Sequence, residues 1–244
     1  MMATKVQILA MALLFSGMGL PLTGCGLAHN EAGERNNVGL ELRDQGLLEA
    51  AISEFDEAIR LDPQFAKAFN NRGVAYSELG QHERAIQDFD QAIGIDSRDA
   101  EAYSNRGRSY YAVDQYESAI QDLDEAIRLE PQLAVAWLNR SAVYLILAEY
   151  ERAIQDSDEA IRLEPQKAGA YANRGFAYES LGKPERAIND YNEAINSIRN
   201  WLSPTSAWQR HTRCSANIRM PMTMPGKQLN WGSTLRCCKW KSTG

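Results

Sequence analysis

The chain has 244 residues, 44% hydrophobic and 24% charged, with four cysteines; that suits a globular protein with a sizeable core and excludes a disulfide framework. Its formal net charge of −6 is unevenly spread: residues 1–200 hold 19 basic and 32 acidic side chains, whereas residues 201–244 hold seven basic and no acidic ones. An acidic body excludes nucleic acid as its partner, because phosphate contacts need clustered Lys and Arg.

Lys5 opens a weakly positive segment, and VQILAMALLF (Val6–Phe15) follows with the length of a secretory apolar region. Gly17, Gly19 and Pro21 interrupt it before it reaches the roughly 20 apolar residues that a bilayer span needs. Leu22-Thr23-Gly24-Cys25 comes next, amid residues that read as loop (Gly24, Gly26, His29, Asn30, Glu31). This resembles the lipobox of bacterial lipoproteins. The resemblance implies that residues 1–24 are a signal peptide, that Cys25 is lipidated, and that residues 25–31 are a short tether. Extended at about 3.6 Å per residue, that tether reaches roughly 25 Å. Gly26 in place of Asp further implies an outer-membrane lipoprotein facing the periplasm in a Gram-negative cell. In a Gram-positive cell it implies the outer face of the plasma membrane. A short uncleaved anchor and a buried core thiol at Cys25 are the alternatives.

From Ala32 the chain repeats itself. AKAFNNRGVAYSELGQHERAIQDFDQAIGIDSRD (66–99) is followed in register by units at 100–133, 134–167 and 168–201, and preceded by a weaker one at 32–65. Within each unit, residues such as Phe69, Gly73 and Tyr76 share one helical face, and Ala85, Ile86, Phe89, Ala92 and Ile93 form the apolar stripe of a second helix. Glycine at 73, 107 and 175, or Ser141, permits close approach of the two helices, and the Ala pair offers the small surface on which the first helix's aromatic packs. Pro63, Pro131 and Pro165 stop the second helix. The 34-residue period with these landmarks resembles the tetratricopeptide repeat (TPR) family. The resemblance implies an all-α fold: five 34-residue repeats, each an antiparallel helix pair, stacked into a right-handed superhelix.

Two kinds of charge pairing are expected. Asp56/Arg60, Asp124/Arg128 and Asp158/Arg162 are spaced i, i+4 along the outer face. Arg72, Arg106, Arg140 and Arg174 occupy a position where the family usually has leucine, each with an aspartate sixteen residues on (Asp88, Asp122, Asp156, Asp190). We read these as ion pairs between the two helices of a unit; unit one departs from the pattern with Val38 and Glu54.

Stacked repeats make a concave groove lined by the first helix of each pair, and the resemblance implies its positions. The sixth position is always asparagine: Asn37, Asn71, Asn105, Asn139 and Asn173. This amide ladder suits either the backbone of an extended peptide or bonding between neighbouring repeats. The other groove positions are polar in units one and two (Asn36, Arg43, Asp44, Lys67, Asn70, Ser77, Glu78). Units three to five contribute Arg108, Tyr111, Leu138, Ala142, Leu145, Ile146 and Phe176. The run Tyr144-Leu145-Ile146 exceeds what helix packing requires, so an exposed apolar anchor for a partner is expected in repeats three to five. The fifth positions (Asn36, Asn70, Ser104, Leu138, Ala172) lack the lysine of the basic clamp with which some TPR proteins hold acidic C-terminal tails.

Residues 202–244 form an atypical basic tail with three cysteines and no repeat periodicity. It reads as a segment contacting an anionic surface, as a metal site whose adjacent cysteines fit poorly, or as an out-of-frame translation of a lost sixth repeat. No nucleophile–base pair or phosphate-cradling glycine loop stands out, so no enzyme, metal, cofactor or small-molecule substrate is expected. The expected function is a membrane-anchored periplasmic adaptor that holds a protein or extended peptide in its groove. The alternatives are a pilotin-like assembly factor for a secretin or type IV pilus, and a cytosolic TPR scaffold.

Overall fold

The computed structural model describes residues 24–202, with side chains from residue 30 to residue 199. The leader and the basic tail lie outside the described residues. Ten helices follow one another: α1 Gly24–Asp44, α2 Leu48–Leu61, α3 Ala66–Glu78, α4 His82–Ile95, α5 Ala100–Ala112, α6 Tyr116–Leu129, α7 Ala134–Ile146, α8 Tyr150–Leu163, α9 Ala168–Ser180 and α10 Pro184–Leu202. There is no strand among the described residues. Odd-numbered helices open each repeat and even-numbered ones close it. No helix among the described residues is long and apolar enough to cross a membrane.

One sequence expectation fails at the start. The segment read as loop from Gly24 to Glu31 is helical, continuous with the first repeat. Gly24, Gly26 and Gly33 lower helix propensity, but the turn carries on into packed residues from Ala32 onward, which is fully buried. As helix, residues 25–31 rise only about 10 Å at 1.5 Å per residue, less than half the reach of an extended tether.

The closing helices bury alanines one turn either side of a larger residue: Ala51–Phe55–Ala58, Ala85–Phe89–Ala92 and Ala119–Leu123–Ala126. The larger residue is what meets the partner helix. A Cβ built on Gly73 would lie 2.7 Å from Phe89 Cε1, one on Gly39 2.5 Å from Phe55, one on Gly107 2.9 Å from Leu123 and one on Gly175 2.8 Å from Tyr191. The large residue of the second helix therefore packs onto glycine of the first, alongside the expected packing of the first helix's aromatic on the alanines, as Phe69 meets Ala92. Repeat four shows the same rule from the other side. There Ser141 replaces glycine and Ser157 replaces the ring, and both are fully buried. Ser141 Oγ donates to Leu138 O at 2.7 Å, while Ser157 Oγ has no partner.

The turns recur as strictly as the helices. The residue two past the end of the first helix is left-handed in every repeat: Gly46, Gly80, Asp114, Ala148 and Gly182, with φ between 57° and 77°. The next amide donates five residues back, as in Lys183 N to Tyr178 O at 2.8 Å, which closes the helix end. Ala148 adopts this conformation without glycine's freedom. The second helices stop where proline was expected to stop them, two residues before Pro63, Pro131 and Pro165. Unit two has no proline, yet α4 stops equally sharply. Asp96 Oδ1 accepts from Arg98 N at 3.0 Å, as Asp62 Oδ1 accepts from Gln64 N in unit one, so an aspartate turn does the same work.

Each first helix touches the first helix of the next repeat, and no two second helices touch among the described residues. The first helices are thus the crowded inner wall of a curved stack, which fixes the concave side.

Candidate partner-binding groove

The four arginines form a ladder more extensive than the sequence spacing implied. Arg72 gives Asp88 a two-pronged contact, Nε to Oδ2 at 2.8 Å and Nη2 to Oδ1 at 2.6 Å. Its Nη1 also reaches back sixteen residues to Asp56 at 2.5 Å. Arg106 joins Asp122 and Asp90, Arg140 joins Asp156 and Asp124, and Arg174 joins Asp190 and Asp158 in the same way. Each guanidinium therefore ties three helices and two repeats together, and lies 5.0–5.6 Å from the ring of Phe69, Tyr103, Trp137 or Tyr171. The expected i, i+4 pairs do not form. Asp56, Asp124 and Asp158 serve the ladder, and Arg60, Arg128 and Arg162 turn to Glu57, Glu125 and Glu159 three residues before them.

The asparagine ladder resolves toward bonding between repeats. Asn71 Nδ2 donates to Asn36 at 2.8 Å, Asn105 to Asn70 at 3.1 Å, Asn139 to Ser104 Oγ at 3.4 Å, and Asn173 to Ser141 Oγ at 2.7 Å. The acceptors in the first three are fifth positions of the preceding repeat, so those residues lock the stack from inside the groove. Asn37, in the first repeat, is exposed.

The apolar patch is smaller than expected. Leu145 is only 7% exposed, packed with Tyr144, Ala153 and Ala177, so it belongs to the core. Its neighbour Ile146 is 48% exposed. Leu138, Ala142, Tyr111 and Phe176 are half-buried, leaving an apolar surface along repeats three to five.

Toward the N-terminus the wall is charged. Arg43 bridges Asp44 at 3.4 Å, while its Nε is buried without a partner. Glu78 lies within the influence of both Arg43 and Arg108; burial pushes its carboxyl up and the two cations oppose the rise. Arg108 reaches the surface yet is crowded by the curved wall, so desolvation holds its pKa down against the pull of Glu78. Among the described residues no carboxylate lies within ion-pair distance of Arg108. These groups come from units one, two and three, and reading each unit along the chain does not reveal them as one cluster. The signal lies across the repeats, where the late turns of successive first helices carry opposite charges. Among the described residues, no group of His, Cys, Asp and Glu is placed to hold a metal ion.

Comparison with known proteins agrees with this architecture. TPR-repeat family models match residues 39–80, and tetratricopeptide repeat models match 66–99, 100–133, 134–167 and 168–200. No curated protein sequence matches. Among solved structures, MamA is 26% identical with a TM-score of 0.58, covering 67% of this chain and 95% of its own. PilF of Pseudomonas aeruginosa is 22% identical with a TM-score of 0.64, covering 70% and 78%. YrrB, described as a TPR protein with an unusual peptide-binding site, is 20% identical with a TM-score of 0.53, covering 72% and 89%.

Proposed function

Because the chain belongs to the tetratricopeptide repeat family, a fold that serves as a protein-interaction scaffold, we propose that it is a membrane-anchored adaptor of the cell envelope. On this reading Cys25 carries the lipid, residues 1–24 are removed, and the stack faces the periplasm from the outer membrane. Its groove holds an extended segment of a protein partner. The observation that carries the reading is the composition of the groove wall. An apolar surface at Leu138, Ala142, Ile146 and Phe176 adjoins Arg108, which among the described residues has no carboxylate within ion-pair distance. A peptide with an apolar side chain and a nearby carboxylate matches both. The peptide-binding site named for YrrB is in keeping with peptide capture by a protein of this fold.

The test is crosslinking in the native envelope, comparing the wild type with Phe176→Asp and Ile146→Asp. Ile146 is the safer probe because its side chain is about half exposed, whereas a charge at Leu145 would disrupt the core. A charge buried against an apolar contact is expected to weaken capture by roughly 10- to 100-fold. Unchanged crosslinks in both variants would mean that the partner uses another surface. Cys25→Ser, in the same cells, should lose acyl label and leave the membrane fraction; retention of both would refute the anchor alone.

A further inference from the structure

Among the described residues, nothing covers the face of the last helix on which each earlier closing helix carries the next repeat. Ile188 is 58% exposed and Ile195 is 52% exposed. Their counterparts in the four preceding repeats, such as Ile154 and Ile161, are all half-buried, because the first helix of the next repeat lies on them. Between Glu185 and Arg199 at its two ends, the centre of the same face has exchanged charges for amides. Asn192 stands where Asp56, Asp90, Asp124 and Asp158 supply the ladder's second carboxylate, and Asn196 stands where Arg60, Arg128 and Arg162 occur. Apolar residues beside amides in place of charges are the composition of an interface centre.

We propose that this face of α10 pairs with the same face of a second copy of the chain, about a two-fold axis. Two features single out that occupant. The opposite end of the stack is unsuitable: Glu34 is exposed at the position where Ala68, Ala102, Ala136 and Ala170 are fully buried by the preceding repeat. Head-to-tail docking in register would bury that carboxylate, so a growing filament is disfavoured. A two-fold contact instead sets like against like, and neutral Asn192 and Asn196 avoid the repulsion that a charge near the axis would bring. The chain's own basic residues past 202 would be better served by the aspartate that this face has exchanged for an amide. The inference concerns the end of the stack, and stands independently of what the groove binds.

Sedimentation equilibrium of the full chain in a mild non-ionic detergent, with the cysteines kept reduced, tests it. The wild type should sediment as a dimer in the micromolar range. Ile188→Glu with Ile195→Glu should weaken association by roughly 100-fold while leaving the circular dichroism spectrum unchanged, since neither side chain is buried within a single chain. A monomeric wild type overturns the proposal, including one in which residues 203–244 cover the face. So does a dimer that survives the double substitution.

Discussion

Arg140→Ala is expected to cost about 3 kcal/mol of stability, the scale of breaking a buried ion pair by removing one partner. Arg140 holds Asp156 with two hydrogen bonds at 2.7–2.8 Å and Asp124 with a third at 2.5 Å. Asp124 is exposed and regains water when the cation is lost. Asp156 is buried and does not. Burial already pushes its carboxyl above the usual range, and Arg140 is the first of the groups that oppose the rise. Without Arg140 the folded state takes up a proton at higher pH than the unfolded chain does. The deficit of the variant is therefore largest near pH 7 and shrinks as the pH falls and Asp156 becomes neutral. Urea denaturation at pH 7 and pH 5 measures both effects. Replacing both members, as Arg140→Leu with Asp156→Leu, should recover most of the loss, because no charge is then left buried. A loss below about 1 kcal/mol for Arg140→Ala would put the ladder in the class of exposed pairs.

Gly73→Val should cost a similar amount, about 3 kcal/mol, for a steric reason. Its Cβ would lie 2.7 Å from Cε1 of Phe89, a ring that is fully buried and has no free side to move toward. Overpacking of this kind costs about 1–3 kcal/mol in general, and a branched residue inside a helix adds to it. Combined with Phe89→Ala, the valine should cost less than it does alone, because the ring it displaces is gone. Thermal or urea unfolding of the two single variants and the double variant gives the cycle. Strict additivity would show that the close approach of α3 and α4 does not depend on this contact.

The fold was legible because each repeat is a local hairpin whose pattern recurs in register, so a 34-residue comparison reads one structure five times. What escaped the sequence depends on how repeats meet. Asp56 is four residues from Arg60 and sixteen from Arg72, and spacing alone does not say which it joins. The choice follows from the stacking of α2 on α3. Leu145 looked like groove because it follows Tyr144 without a polar break; α8 and α9 cover it, which is a property of the neighbouring helices. The asparagines were recognised as a ladder, but their direction became definite only once a fifth-position acceptor of the previous repeat lay at 2.8–3.4 Å. The helical start at Gly24 was hidden by glycines whose low propensity is outweighed by the packing that begins at Ala32.

These observations divide the molecule by task. The arginine ladder and the asparagines hold successive repeats together, and on the reading proposed above the groove wall between Arg108 and Phe176 serves the partner. That division makes the apolar wall at Ala142, Ile146 and Phe176, rather than the asparagines, the part of the groove where substitution should alter binding without altering the stack.

A photoreactive amino acid placed at Ala142, on the groove wall, and separately at Gln155, exposed on α8, tests the central claim most directly. Irradiation of cells should give a discrete higher-mass adduct from position 142 that is lost when Phe176→Asp is present, and none from position 155. Adducts of equal yield from both positions, or an adduct at 142 indifferent to Phe176→Asp, would contradict the groove as the site where this protein holds its partner.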